Sequence, residues 1–293
     1  MMRRRAFLPV TGFFLGYFSL CLFASPVFSR NNSLQVKGSD TMVNLVQAWA
    51  EAYMKKQPGA FIAVTGGGSG TGLAALINGT CDLAVSSRQI KGQERTLAEK
   101  KGVIPTEYKV ALDGLAVVVN PANPVAQLTL DQLADIFTGR ISNWKELGGE
   151  DLKIVVLSRE VNSGTHVYFK EHVLQKNDSK STEEFSHDAL MMSSSQAIAD
   201  EVKNNRSAIG YYGMGYVGKD HKAVAVAKAA GSLYVSPSVE HVITGDYPIS
   251  RPLFVYVNGQ GSQEAKGFLD FILSPEGQAV VTQADFVPIQ KTA

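Results

Sequence analysis

Three times between Leu34 and Arg88 a short apolar run gives way to a polar turn rich in glycine or serine, and this repetition restricts the fold more than any other feature. Leu34 to Lys37 runs into Gly38-Ser39-Asp40-Thr41, where Asp40 or Thr41 can cap the helix marked by Met42, Val43, Leu45, Val46 and Trp49. Phe61 to Val64 runs into Gly66 through Gly72 and then the helical Leu73 to Ile77, and Asp82 to Val85 ends in Ser86-Ser87-Arg88. Strand, polar turn and helix in this order build an α/β fold with a mainly parallel sheet.

The same grammar returns in the middle of the chain. Leu115 to Asn120 reads as a β-branched strand, and Pro121-Ala122-Asn123-Pro124 ends it because proline continues neither a helix nor a central strand. Beyond it come a helix over Leu130 to Phe137, a buried strand over Ile154 to Leu157 and a polar turn, Arg159 to Thr165, leading into a helix through Val167, Phe169 and His172. Ser194 to Val202 reads as helix and Ala208 to Tyr212 as strand. A second long apolar strand, Leu253 to Val257, precedes helices over Ala265 to Leu273 and Pro275 to Thr282. The two long strands bracket the middle section, so the chain is expected to leave one lobe and return to it. The expected limits are 30–118 with 225–293 for the first lobe and 119–224 for the second, with a two-segment hinge near 118–124 and 215–228. Ligand sites in open α/β sheets lie at the carboxyl ends of strands beside helix N-termini, which places the site in the cleft between lobes.

The first 29 residues follow a different pattern: Arg3, Arg4 and Arg5 precede an apolar run from Ala6 to Phe23 and the small residues around Ser29. This order is that of a secretory signal peptide, and Pro9 and Gly12 weaken its reading as a membrane anchor. Cleavage near Ser29 takes the 28 basic residues to 25 against 27 acidic ones, changing the net charge from +1 to −2. Cys21 leaves with the leader, so Cys81 has no partner and a disulfide framework is excluded. Leu20 stands before Cys21 where a lipobox has a small residue, which favours a free mature protein over a lipoprotein. With no excess of positive charge and no basic stripe interleaved with aromatics, nucleic acid is not an expected partner.

Four turns carry the candidate chemistry: Gly38 to Thr41, Gly68 to Thr71, Ser86 to Arg88, and Arg159 to Thr165. Hydroxyls and backbone amides at helix N-termini favour an anion, and the guanidinium fork of Arg88 or Arg159 suits a tetrahedral oxyanion. Any one such serine or threonine is more often an ordinary N-cap; four turns converging on one cleft shift the balance toward a ligand. Gly213-Met214-Gly215-Tyr216-Val217-Gly218 matches the dinucleotide fingerprint, but the strand-like Lys219 to Ala227 follows it instead of a helix. The run through Gly72 lacks the Gly-Lys-Ser/Thr ending of a P-loop. Ser69 and Ser163 sit in no nucleophile elbow, His166 and His172 are expected on a helix surface, and the five histidines show no metal-ligand spacing. Neither a metal, a cofactor nor a catalytic residue is expected.

Taken together, Gly38-Ser39-Asp40-Thr41, Gly67 through Gly72, Asp82 through Arg88, and Arg159 through Thr165 resemble the periplasmic phosphate-binding proteins of high-affinity phosphate ABC importers. Ile136-Phe137-Thr138-Gly139, Asn143-Trp144, Ala208 to Tyr211 and Tyr247 to Pro252 extend the resemblance over essentially all of the mature chain. It implies a type II periplasmic-binding-protein fold, two α/β lobes each with a mainly parallel sheet flanked by helices, that binds inorganic phosphate as a periplasmic monomer and delivers it to a membrane permease. The implied ligands are Ser39, Thr41 and the Met42 amide; Ser69, Gly70 and Thr71; Ser87 and Arg88; and Arg159, Ser163, Gly164 and Thr165. Ser87 falls where many members place an aspartate that accepts the ligand's proton, which leaves Asp40, Glu160 or Ser87 itself for that role. The competing readings are a binder of sulfate, molybdate or tungstate, a secreted phosphate-ester hydrolase using Ser69 or Ser163, and a surface protein that keeps the fold for contacts.

Overall fold

A computed structural model describes residues 33–289; the leader, Cys21 and the cleavage site lie outside the described residues. The first strands and helices follow the expected order: β1 (Leu34–Gly38), a 3-10 turn over Asp40–Met42, α1 (Val43–Lys56), β2 (Ile62–Thr65), α2 (Ser69–Ile77) and β3 (Leu83–Ser86). β1 pairs in parallel with β2 on one side and β3 on the other. Gly38 holds φ +142° with its Cα pressed against β3, so a Cβ there would stand 2.1 Å from the Val85 carbonyl oxygen. Only glycine allows this approach.

Helix α3 (Gly92–Lys100) leads to the long strand β4 (Pro105–Val119). After it come β5 (Gln127–Thr129), α4 (Leu130–Thr138), β6 (Val155–Arg159), α5 (Gly164–Phe169) with a π turn over Lys170–Leu174, and β7 (Leu190–Met192). Then follow α6 (Ser195–Asn204), β8 (Ala208–Gly213), β9 (Lys222–Ala223), β10 (Ala225–Ala227), α7 (Val239–Thr244), β11 (Ser250–Asn258), α8 (Gln263–Leu273) and α9 (Pro275–Gln283). Gly213 to Tyr216 turns through a short 3-10 segment rather than a dinucleotide loop.

One strand joins the two halves. From Pro105 to Gly114, β4 pairs antiparallel with β11; from Leu115 to Val119 it pairs antiparallel with β8. The sheet runs β2-β1-β3-β11-β4-β8-β6-β7, with β9 also on β4, so each half is a largely parallel set closed by an antiparallel neighbour. Trp49, Phe268 and Phe271 pack the core of the first half, and Phe137, Phe169 and Tyr211 pack that of the second.

The strand pairing differs from the expected crossings at 118–124 and 215–228. The chain passes from one half to the other inside β4, at Gly114–Leu115, because Leu115 to Asn120 is only the far end of a longer strand. β10 pairs with β5, and Val242 and Tyr247 bury themselves in the second core, so residues 225–249 stay with the second half. The return falls at Ile249, whose carbonyl accepts the Leu115 amide at 2.8 Å.

Candidate functional site

The turns at the ends of β1, β2, β3 and β6 converge where the halves meet. Thr41 and Thr165 are buried, and their hydroxyl oxygens lie 2.7 Å apart across the junction. The Ser87 amide donates to Ser69 Oγ at 3.0 Å, and the two serine hydroxyls lie 3.3 Å apart with no exposure. Ser163 caps α5, its hydroxyl accepting from the Thr165 and His166 amides at 3.2 and 3.4 Å. Gly164 brings the α5 backbone against the first half so closely that a Cβ would stand 2.3 Å from Ser69 Oγ and 2.7 Å from Ser87 Oγ. Any larger residue there would push the halves apart.

Around this core the contacts are directional. The Gly70 amide donates to the Asn162 carbonyl at 2.9 Å, and Asn162 Nδ2 donates to the Gly67 carbonyl and Thr71 Oγ1 at 3.0 and 3.3 Å. Tyr216 donates its hydroxyl to the Asp40 carbonyl at 2.9 Å.

Three buried arginines surround the hydroxyls, each with its own carboxylate. Arg159 Nη1 donates to Asp40 Oδ2 and Ser195 Oγ, both at 3.0 Å, while Nη2 and Nε donate to the carbonyls of Ser193 and Met192. Arg88 grips Glu94 with both Nη atoms at 2.8 and 2.7 Å. Arg251 meets Asp113 Oδ2 through Nε and Nη2 at 3.1 and 3.0 Å and donates a second Nη2 hydrogen to Thr165 Oγ1 at 2.9 Å. Burial pushes the Asp113 carboxyl above its ordinary value, against the pull of the Arg251 guanidinium. Three cations against three carboxylates leave the neighbourhood close to neutral, so net charge alone supplies little attraction for an anion. Beside the cluster opens a cleft of about 440 Å³ lined in part by Ser87, Arg88, Tyr168, Arg251 and Phe254.

The expected residues fall into two groups. Ser39, Thr41, Ser69, Ser87, Ser163, Gly164, Thr165 and Arg159 are brought together and buried, and Arg88 closes one side at 9% exposure. Met42 is buried too, but its amide donates to the Ser39 carbonyl at 3.1 Å within the 3-10 turn. Gly70 is half-buried, and Thr71 is exposed with its hydroxyl on the Gly67 carbonyl at 2.8 Å, so these two belong to the contact with Asn162 on the rim. Of the possible proton acceptors, Glu160 is exposed, Asp40 is engaged through Oδ2 with Arg159 and the Ser195 amide, and Ser87 lies inside the cluster.

His166 differs from its expected surface position: it is 6% exposed, packs 4.6 Å from the Phe185 ring and shares a hydrogen bond with Ser158 Oγ. α5 lies between the two halves, Gly164 and Thr165 against the first and Phe169 in the second core, so every residue but Tyr168 is buried. Burial pushes the His166 ring down from 6.5 to about 4, leaving it neutral near pH 7. His172 is half-buried, stacked on Tyr168 and bonded to the Pro248 carbonyl.

Asp113, Arg251, Asn162 and Ser195 were not among the expected ligands. The first two had a signal: Asp113 is a lone charge in the apolar run Val110 to Val119, Arg251 opens the other long strand, and the two residues face each other in register.

A family model described as a PBP superfamily domain matches residues 27–276. The phosphate-binding protein PstS of Pseudomonas aeruginosa is 35% identical over 277 residues, covering 88% of this chain and 84% of the relative. PstS of Bacillus subtilis is 34% identical over 260 residues, covering 88% and 81%. Among solved structures, one from Clostridium perfringens, described as a phosphate ABC transporter substrate-binding protein with bound phosphate, matches with a TM-score of 0.79 at 35% identity over 88% of this chain and 100% of that one. An ABC-type phosphate transport receptor from Vibrio cholerae matches with a TM-score of 0.68 at 30% identity over 87% and 99%. The buried hydroxyls at the junction of two α/β halves thus sit in a chain that belongs to the PBP superfamily and, within it, to the family of the phosphate-binding protein PstS.

Proposed function

We propose that this protein binds inorganic phosphate between its two halves and delivers it, as an extracytoplasmic monomer released from its leader near Ser29, to the permease of an ABC importer. The observation that carries this reading is the buried hydroxyl set drawn from both halves, Thr41 and Ser69 with Ser87 from one and Ser163 with Thr165 from the other. A tetrahedral oxyanion presents acceptors in several directions at once, so hydroxyls supplied from opposite halves can turn to it together when the halves close around it. Charge-assisted hydrogen bonds of this kind contribute roughly 1.5 to 3 kcal/mol each. The likeness to PstS proteins supports the same ligand.

Phosphate at neutral pH carries a proton and sulfate does not, so a buried acceptor rejects sulfate by facing one acceptor with another. Ser87 takes that role here, its oxygen accepting the ligand's proton while its own hydrogen turns to Ser69 Oγ, 3.3 Å away. The strand pairing supports lobe limits of 33–113 with 251–289 for the first lobe and 115–249 for the second, the chain crossing at Gly114 and Ser250.

Calorimetry with phosphate and sulfate from pH 5 to pH 8 tests the reading. Heat with phosphate and none with sulfate is expected; binding of sulfate with no response to phosphate overturns it.

A further inference from the structure

Arg251 holds the one guanidinium of the three with a whole amino group unengaged. Its Nη1 is buried and has no hydrogen-bond partner among the described residues, although the side chain is only 2% exposed. A buried charged donor left without an acceptor is strongly unfavourable, so such a group points to a ligand.

The direction of the free hydrogens follows from the rest of the side chain. Nε and Nη2 donate to the same Asp113 oxygen, which fixes the side of the fork that faces the carboxylate. The remaining Nη2 hydrogen goes to Thr165 Oγ1 at 2.9 Å. In a planar guanidinium the outer hydrogen of Nη1 runs parallel to that bond. The guanidinium carbon lies over the Tyr168 ring, 5.4 Å from its centre, and the three bonds to Asp113 and Thr165 leave the fork little freedom to turn elsewhere. Nη1 therefore offers a hydrogen alongside Thr165 Oγ1, the oxygen that reaches Thr41 across the junction.

We propose that Arg251 is a direct ligand of the bound anion, donating from Nη1 to an oxygen seated beside Thr165. The proposal rests on the reading of the hydroxyl cluster as an oxyanion site and adds to it a cationic ligand supplied from the crossing between lobes. Arg251 also orients Thr165: because Thr165 Oγ1 accepts from Nη2, its own hydrogen is free to be donated toward Thr41 or the anion. Arg159 is differently placed, with Nη1 carrying two bonds and both Nε and Nη2 already engaged.

The test is phosphate calorimetry on the protein and on the double variant Asp113→Asn/Arg251→Gln. The double change removes one positive and one negative charge together, so the long-range field stays unchanged and a loss of affinity reports the hydrogen bonds of Arg251, both the one to the anion and the one that orients Thr165. Folding of the variant is checked by its thermal transition without ligand. Binding roughly 10- to 100-fold weaker than that of the original protein is expected. Equal affinity in a folded variant overturns the role of Arg251 alone; absence of phosphate binding by the original protein overturns the oxyanion reading and the inference with it. If the variant does not fold, guanidinium nitrogen resonances of the unaltered protein decide. A phosphate-induced shift and slowed hydrogen exchange at the Arg251 Nη positions support the contact, and unchanged signals overturn it.

Discussion

Arg251 with Asp113 and Arg88 with Glu94 are two answers to the same problem, a guanidinium buried at the edge of a ligand cleft. The second pair is local: its members are six positions apart, Glu94 is also the third residue of α3 and accepts the Lys91 amide, and its side chain is 23% exposed. The first pair joins positions 138 residues apart, Asp113 has no exposure, and its second oxygen takes the Met214 amide at 3.3 Å. A pair with one partner reached by water can lose a member and be rehydrated from that side. A fully desolvated pair cannot, because the remaining charge stays in an apolar surround.

The largest consequence is expected at Asp113. Asp113→Ala strands the Arg251 charge and the Met214 amide, and urea unfolding should show a loss of about 3 to 5 kcal/mol. A loss under about 1 kcal/mol would mean that water reaches the pair and that the contrast with Glu94 is false.

His166 sharpens the comparison as a buried titratable group whose carrier is a hydroxyl rather than a carboxylate. Its folded pKa, about 4, lies below the ordinary 6.5, so the unfolded chain binds the extra proton between these values. Stability is whole above pH 6.5 and falls as the pH drops toward 4, by up to about 3 kcal/mol. Thermal unfolding across this range should be flatter in His166→Asn than in the original protein.

Gly164→Ala tests which of the two pairs feels closure, since only Arg251 bonds to α5. The added methyl meets Ser69 Oγ and Ser87 Oγ, so the closed arrangement loses about 1 to 3 kcal/mol. Calorimetry should show phosphate affinity reduced roughly 5- to 150-fold, with the unliganded melting temperature nearly unchanged.

The smallest effect is expected at Glu94. Burial works against its charged form, but hydrogen bonds from Arg88 and the Lys91 amide and the Arg88 charge hold its pKa below the ordinary 4.5. Its stabilisation is therefore complete above that value and is lost as the pH falls through the depressed pKa. Glu94→Gln should cost about 1 kcal/mol at neutral pH and remove this acid dependence, as read from unfolding midpoints at pH 3 to 7.

Much of the architecture was legible because it is written in local pattern. The apolar runs before Gly38, Gly66 and Ser86, the capped start of α4 at Thr129 and the serine before α6 all announce their elements within a few residues. The first ten residues of β4 were hidden, since Thr106, Glu107 and Lys109 put polar groups into a strand that only its pairing with β11 stabilises. Helix α3 was hidden as well, being mostly polar, with Leu97 exposed and Ala98 its one buried residue. In the site, proximity along the chain misled at Thr71: it follows Ser69 in the same turn, yet the direction of α2 sends its hydroxyl back to Gly67 on the rim.

What the sequence determined by itself was an α/β chain whose helix-initiating turns are lined with hydroxyls and glycines, because caps and turns depend on neighbours a few residues away. Only the tertiary structure decided where the chain crosses between halves, which of those hydroxyls are buried together, and that Arg251 lies among them. Those outcomes depend on the register of β4 against β11 and on the closeness of Gly164 to Ser69, contacts between segments whose separation in sequence carries no local signature.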